Sequence, residues 1–537
     1  MTEEPSGQAA AEEAAATEDE RPAGEGGAAA EGAAPADGSD GGDRSTSWSG
    51  EDKRRARVER LREEGVNPYP HSFLPRDHAA DIQAAHDPHA LAEGEHASFR
   101  YRVMGRVTGK RGHGKVVFFD IRDVSGTIQA YARRDKLGEE AFERIEELDI
   151  ADIVGVEGVL YVTKREELAI SVETCTLLAP ALKDPPDLFH GIKDPEVRYR
   201  QRELDLIANE QSREIFKKRS ELIFAIRQYM HEQGWTELET PILQRLTGGA
   251  AARPFVTHHN ALDRDLFLRT ATELYLKRAI VGGFEDVYEF GKFFRNEGMS
   301  PNHNPEFTML EMFVGGADWN GVMEFQENLV STVVEKVMGT TVVERDGVKI
   351  DFKTPWPRVV LRDELLKETG VDIYKASRDE LAEIAGDDAD PNDDWAGLVD
   401  TLQGKLVEPK LIQPTFITAL PIDIWPLVKH HPDDPKVCEA FDGIVAGLEI
   451  VGGGTDINDP IEQRERFVGQ RERQESGAEE DPHPTDLEFV RALEYGMPPA
   501  SGCGLGIDRL LMIMTGSKTL RDVIIYPAMR ELPGEQQ

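Results

Sequence analysis

Between residues 98 and 180 the chain alternates apolar and polar side chains in five short runs. That pattern constrains its fold more than any other stretch. The runs are FRYRVMGR at 99–106, KVVFFDIRD at 115–123, GTIQAY at 126–131, IVGVEGVLYV at 153–162 and LAISV at 168–172. Alternation with period two turns one face of each strand inward and the other outward. A helical stretch near residues 137–148 interrupts the series. Five strands with one helical insert suit a small barrel of the OB type.

The early strands of that barrel carry Arg100, Arg102, Arg106, Lys110, Arg111 and Lys115 beside Phe118. Cations meet phosphates and an aromatic ring stacks on a base, so this face is expected to bind single-stranded nucleic acid.

The 537 residues have room for two or three domains. Residues 1–50 are mostly Ala, Gly, Glu, Ser and Pro, too poor in large apolar groups to offset the entropy of ordering, and are expected to be disordered. Residues 51–97 begin as a basic helical arm with Lys53, Arg54, Arg55, Arg57, Arg60 and Arg62. Residues 181–205 contain Asp184-Pro-Pro and Asp194-Pro and read as a linker. From 206 to 537 long helical patterns alternate with strands without βαβ regularity, which implies an α+β domain on a mostly antiparallel sheet flanked by helices.

The net charge is −38, of which twelve acids and two arginines in residues 1–50 supply −10. Such a balance argues against promiscuous binding to DNA, and suits either a solvated surface or one adapted to high salt. No apolar run approaches the roughly 20 residues of a membrane span. Cys175, Cys438 and Cys503 are scattered without a CxxC pair, so neither a disulfide framework nor a zinc site is expected, and a reducing cytoplasm fits best.

The chemistry concentrates in residues 294–311, which run Phe294-Arg295-Asn296-Glu297 and later Asn302-His303-Asn304-Pro305-Glu306-Phe307. Core packing asks for no such mixture of cation, aromatic and fixed polar groups. A second cation, Arg509, closes the run Gly502-Cys503-Gly504-Leu505-Gly506-Ile507-Asp508-Arg509. No GxxxxGK[ST] loop is present, and the glycines at 502–506 lie too near the end for a dinucleotide-binding unit. A bound nucleotide must therefore take its charge from side chains. The guanidinium forks of Arg295 and Arg509 match phosphate, and Phe307 offers a ring to a base.

These segments resemble the three motifs of class II aminoacyl-tRNA synthetases: a helix and strand ending in Pro241, residues 294–311, and residues 504–509. Flanking text narrows the resemblance to the bacterial-type lysyl-tRNA synthetases. It includes GGAAARPFVTHHNALD from 248, ELYLKR from 273, QPTFIT from 413, NDPIEQRERF from 458 and RDVIIYPAMR from 521. The likeness runs from about residue 50 to the end. It implies a ligase that activates L-lysine with ATP to lysyl-adenylate and charges tRNA(Lys), as a homodimer joined through motif 1, with up to three Mg2+ per subunit. Arg295 would bridge the lysine carboxylate and α-phosphate, and Arg509 would hold the γ-phosphate. Glu297, His303, Asn304 and Phe307 would orient the adenosine and its phosphates. Asp442 and Glu449 match the metal-binding carboxylates. Glu273 would take the α-ammonium beside Gly249, and Glu311 the ε-ammonium. Phe118 and Gln129 match the positions that read the anticodon.

Departures from the family pattern gather in the amino-acid pocket. Phe313 stands where a tyrosine is usual, and Thr272 where Pro or Asn is frequent. Gly452-Gly-Gly-Thr-Asp456 replaces Asn-Gly-Tyr-Ser-Glu, and Asn302 replaces an arginine. An aspartate one methylene short, drawn back from about 3 to about 4.5 Å, loses roughly 2 kcal/mol of attraction at an effective dielectric near 20. These changes also enlarge the expected pocket. They admit two alternatives: a paralogue for a longer or modified lysine, and a non-catalytic tRNA-binding regulator. Retention of Arg295, Arg509 and Glu449 counts against the second.

Overall fold

The computed structural model describes residues 50–188, 190–250, 252–475 and 485–532. The expected disordered tail, residues 1–49, lies outside the described residues. The chain divides into two compact units, one ending at Val66 and the other beginning at Asn67. In the first, α1 spans Gly50–Glu63. Acidic residues in its first turn and arginines in its last complement the helix dipole.

The second unit opens with the barrel. Its strands are β1 (Gly94–His113), β2 (Val116–Arg122), β3 (Thr127–Arg133), β4 (Ile153–Val162) and β5 (Leu168–Ala179), closed in the order β1-β2-β3-β5-β4. All pairs are antiparallel except β3 with β5. Val107, Phe119, Ile121, Ile128 and Ala130 fill the interior. The helix α2 (Glu139–Glu146) supplies Phe142 and Ile145 to the same core. Residues 67–97 differ from the expected arm. The Ala79 amide donates to Asp123 at 2.8 Å, Ile82 enters the barrel core, and β1 starts at Gly94. A short apolar helix without a long periodic pattern gave no signal that it would pack there.

The segment 181–205 is also only partly a linker. Pro195–Arg200 and Arg202–Ala208 are helices. Asp194 accepts from the Glu196 amide at 2.9 Å with Pro195 in the first turn, so Asp-Pro here starts a helix. Arg202 is fully buried, pairs with Asp205 at 2.7 Å and donates to the Ile525 and Arg521 carbonyls.

The α+β domain is built on an eight-stranded sheet. In chain order its strands are β6 (Thr236–Glu237), β7 (Asp286–Phe294), β8 (Glu306–Gly315), β9 (Arg358–Val360), β10 (Thr415–Thr418), β11 (Ala440–Val445), β12 (Leu448–Thr455) and β13 (Ala500–Gly506). Across the sheet they lie β9-β10-β11-β12-β13-β8-β7-β6. Only the two edge pairs, β9 with β10 and β7 with β6, are parallel. One face buries Leu310, Met312 and Leu505 against α3 (Glu210–Glu232), α5 (Trp319–Met338) and α6 (Ile507–Met514). The alternate residues of β8, Glu311 and Phe313, face the other way. That second face carries the chemistry. Among the described residues no helix is long and apolar enough to cross a membrane. The three cysteines are free thiols.

Candidate active site

A single cross-strand row organises the site. Glu289, Glu311, Gly504, Gly452 and Asp442 are successive register partners on β7, β8, β13, β12 and β11. Register partners share a face, so Glu311 and Asp442 project from the same side. Three strand spacings, roughly 14 Å, separate them. The two positions between are glycines, which leave a bare floor between two acidic ends. A Cβ on Gly452 would stand 3.3 Å from both Asp442 Oδ1 and Glu449 Oε1, so those two carboxylates converge over it.

Arg295, just past the end of β7, and Arg509, on α6, line one cleft above that floor. Glu297, Asn302, His303, Asn304, Phe307 and Glu449 line it too. Arg295 lies over the Phe307 ring at 5.3 Å, and its Nε is buried without a partner among the described residues. Phe307 also stacks on Phe293, with ring centroids 6.2 Å apart. Arg509 donates to the Glu449 carbonyl at 2.7 Å, to the Glu449 carboxylate at 3.3 Å and to His303 Nε2 at 3.2 Å. Nε2 therefore carries a lone pair. Desolvation and the Arg509 guanidinium accordingly hold His303 below the ordinary imidazole range. Asn304 is spent locally: it donates to the Glu306 carbonyl and accepts from the Ala528 amide.

Asp508 fixes the angle of α6. Its carboxylate accepts from Arg219 at 2.5 Å and from the Thr308 amide at 2.8 Å, while Arg219 also reaches Thr308 Oγ1. Arg219 comes from α3, so the three sequence segments are tied by one partly buried ion pair. The sequence reading named neither Arg219 nor Asp508 as a site residue.

The acidic pocket lies toward the other end of the row. Glu311 is buried, and its Oε2 accepts from the Thr272 amide at 2.8 Å and hydroxyl at 2.6 Å. Burial pushes its carboxyl up to about 7. Asp456 is likewise raised to about 7 by burial, against the pull of Lys277. Lys277, on α4 (Glu273–Val281), pairs with Asp456 at 2.7 Å and Glu273 at 2.5 Å, with its ammonium 5.5 Å from the Phe313 centroid. The expected enlargement of the pocket took no account of Lys277, which is fully buried among these groups. A Cβ on Gly502 would strike the Phe313 ring at 2.2 Å, so the glycine admits that ring. Gly249, at φ +86°, would put a Cβ 3.1 Å from the Glu273 Cβ, and so brings backbone close to that carboxylate.

At the opposite end, burial and the adjacent Glu449 push Asp442 well above the carboxylate range. Gln403 donates to it at 2.8 Å. Asp400 and Glu408 are also raised, chiefly by burial and in part by Glu449. Among the described residues no set of three or more ligating side chains is preassembled for a metal. Two converging carboxylates, Asp442 held up by burial and its neighbour's charge and Glu449 paired with Arg509, nevertheless suit a hard divalent cation whose shell is completed by phosphate oxygens.

Residues 194–530 match the model of the class II tRNA synthetases (D, K and N), and residues 101–178 that of the OB-fold nucleic acid binding domain. The chain is 44% identical over 488 residues to a lysine–tRNA ligase of Dehalococcoides mccartyi, covering 90% of this chain and 98% of that one. It is 45% identical over 476 residues to a lysine–tRNA ligase of Fervidobacterium nodosum, covering 88% and 92%. The chain belongs to the lysine–tRNA ligase family. ATP is the nucleotide that membership in this synthetase family implies.

The OB-fold domain of this family member presents a second candidate surface. Phe118 stacks on Tyr131 at 4.8 Å, and Tyr131 on Tyr161 at 4.5 Å. Arg111 lies 5.4 Å from the Phe118 centroid. Gln129, two positions before Tyr131 on β3, donates to Asp120 at 3.3 Å and keeps a buried Oε1 without a partner among the described residues. The expected basic face is narrower than the sequence implied. Arg100 and Arg102 pair with Glu173 and Glu157, while Arg106 and Lys110 donate to backbone carbonyls. Tyr131 and Tyr161 escaped the sequence reading, although period-two alternation puts Tyr131 on the face of Gln129.

Proposed function

We propose that the chain activates L-lysine with ATP to lysyl-adenylate and transfers the lysyl group to tRNA(Lys), working in the cytoplasm as a homodimer. The observation that carries this reading is the convergence of Arg295 and Arg509 on one cleft, with the buried acids Glu311 and Asp456 along the same sheet. A lysine carboxylate oxygen attacks the α-phosphorus, the bond to the β-phosphate breaks, and pyrophosphate leaves. Arg295 screens the repulsion between two reacting anions, and Arg509 draws charge onto the departing group. Glu273 receives the α-ammonium, and Glu311 with Asp456 the ε-ammonium. Glu297 and His303 orient the nucleotide, whose base lies against Phe307. Asn304 supports this arrangement by holding the Glu306 and Ala528 backbone.

Asp442 and Glu449 would hold Mg2+, which when bound supplies charge neutralisation at the phosphates. In the barrel, Phe118 and Gln129 would read the anticodon by stacking and hydrogen bonding, extended by Tyr131 and Tyr161. Exposure of Phe224 on α3, the motif 1 helix, supports a dimer.

Phe313 and the short Asp456 favour a second reading, in which the amino acid is a longer or modified lysine. Amino-acid-dependent ATP–pyrophosphate exchange over lysine, ornithine, β-lysine and aspartate separates the two. Lysine should be the best substrate. A better rate with β-lysine would move the assignment to the second reading, and no exchange with any of them would overturn catalysis.

A further inference from the structure

We infer that Lys277 is a specificity-determining positioning residue: fixed between Glu273 and Asp456, its ammonium matches the pocket's charge to a substrate with two ammonium groups. This rests on the reading above of a lysine-activating site. Lys277 follows Glu273 by one helical turn, which puts both on one face of α4. It is fully buried, and a buried cation persists only when paired. Its partners are the carboxylate assigned to the substrate's α-ammonium and one of the two assigned to its ε-ammonium.

Two carboxylates, Glu273 and Asp456, meet this one ammonium, and Glu311, which feels the charge of Glu273, is the third acid assigned to the pocket. With Glu311 and Asp456 both ionised, two negative charges remain beside Lys277, equal to the two ammonium groups of lysine, whose own carboxylate meets Arg295. Other charges nearby do not alter that balance decisively. Arg269, which acts on Glu311, is already paired with Glu289 in a buried bridge. Lys429 acts weakly on Asp456, and the Cys503 thiol is driven up by burial and stays neutral.

The oxygens are divided in the same way. Lys277 holds Asp456 Oδ1, while Asp456 Oδ2 is buried with no hydrogen-bond partner among the described residues. On Glu311 both hydrogen bonds from the described residues fall on Oε2. One oxygen on each acid is thus kept for a cation that the protein does not supply. Without Lys277 the buried Glu311 and Asp456 and the partly buried Glu273 would lose their fixed cation, and Asp456, already raised to about 7, would take a proton more readily. Lysine could then bind only by expelling it.

The test compares the wild-type full chain with Lys277→Met, which keeps length and loses charge. Pyrophosphate exchange at pH 7 should show a lysine KM raised roughly tenfold or more, one pKa unit being a factor of ten. The ATP KM should not change, the lysine penalty should shrink at pH 9, and Lys277→Arg should restore much of the affinity. Calorimetry at pH 7 in buffers of different ionisation heat should show Lys277→Met releasing up to about half a proton more on lysine binding than the wild type. Adding Asp456→Asn should remove that excess. If Lys277→Met does not fold, Lys277→Gln carries the same readouts. A lysine KM unchanged at every pH, a pH-independent loss confined to kcat, or no extra proton would overturn the inference. Wild-type protein with no lysine-dependent exchange would instead overturn the lysine reading itself.

Discussion

In the proposed site Glu311 stores a cost in the free protein that a bound lysine would relieve, and Glu311→Gln exposes it. The carboxyl sits at about 7 in the folded chain, driven there by burial, against an ordinary value of 4.5. Below the unfolded value both states are protonated, and the group's contribution to stability is fully present. As pH rises through the folded value that contribution is lost, because the unfolded chain releases a proton that the folded chain retains. The interval is 2.5 pH units, which at 1.36 kcal/mol each amounts to about 3 kcal/mol. Glutamine keeps a carbonyl oxygen for the Thr272 donors and has no charge to desolvate. Without lysine, Glu311→Gln should therefore be nearly neutral at pH 4.5 and stabilising by about 3 kcal/mol at pH 8. Urea unfolding of the full chain, followed by near-ultraviolet circular dichroism from pH 4.5 to 8.5, measures the difference. Saturating lysine should stabilise the wild type and not the variant. A difference between variant and wild type that does not vary with pH would refute the reasoning.

Three other outcomes follow from the same geometry. Tyr131→Ala should lower kcat/KM for tRNA by the roughly 1–3 kcal/mol of a lost stacking platform while leaving pyrophosphate exchange unchanged. Asp456→Glu should tighten lysine if the shorter side chain is a handicap; unchanged or poorer affinity in the exchange assay would mean that Lys277 already compensates. If the net charge of −38 reflects adaptation to salt, exchange activity should hold or rise above molar potassium chloride, and a sharp loss there would remove that idea.

Local chemistry made part of this legible. Alternation over 98–180 was enough to draw the five-stranded barrel, because period two survives in any sheet whose inner face is buried. Asp442 and Glu449 come only with the family resemblance, whereas Arg295 and Arg509 stand out because core packing asks for no such cations beside aromatic and fixed polar groups. Lys277 does not, since a lysine one turn after a glutamate looks like an exposed helix pair until the register brings Asp456 against it. Arg219 was hidden for the same reason: its partners Asp508 and Thr308 lie 289 and 89 residues away. The helix at Pro195–Arg200 was lost to the habit of reading proline as a break, although Asp194 before it is an N-cap.

Everything rests on two guanidinium groups serving one nucleotide. A crystal structure of the full chain with ATP, lysine and magnesium tests that most directly. The account predicts the α-phosphate within hydrogen-bond reach of Arg295 and the γ-phosphate within reach of Arg509, on a single ATP lying over Gly452 and Gly504. Phosphates contacting only one of the two arginines, or ATP bound outside this cleft, would contradict it.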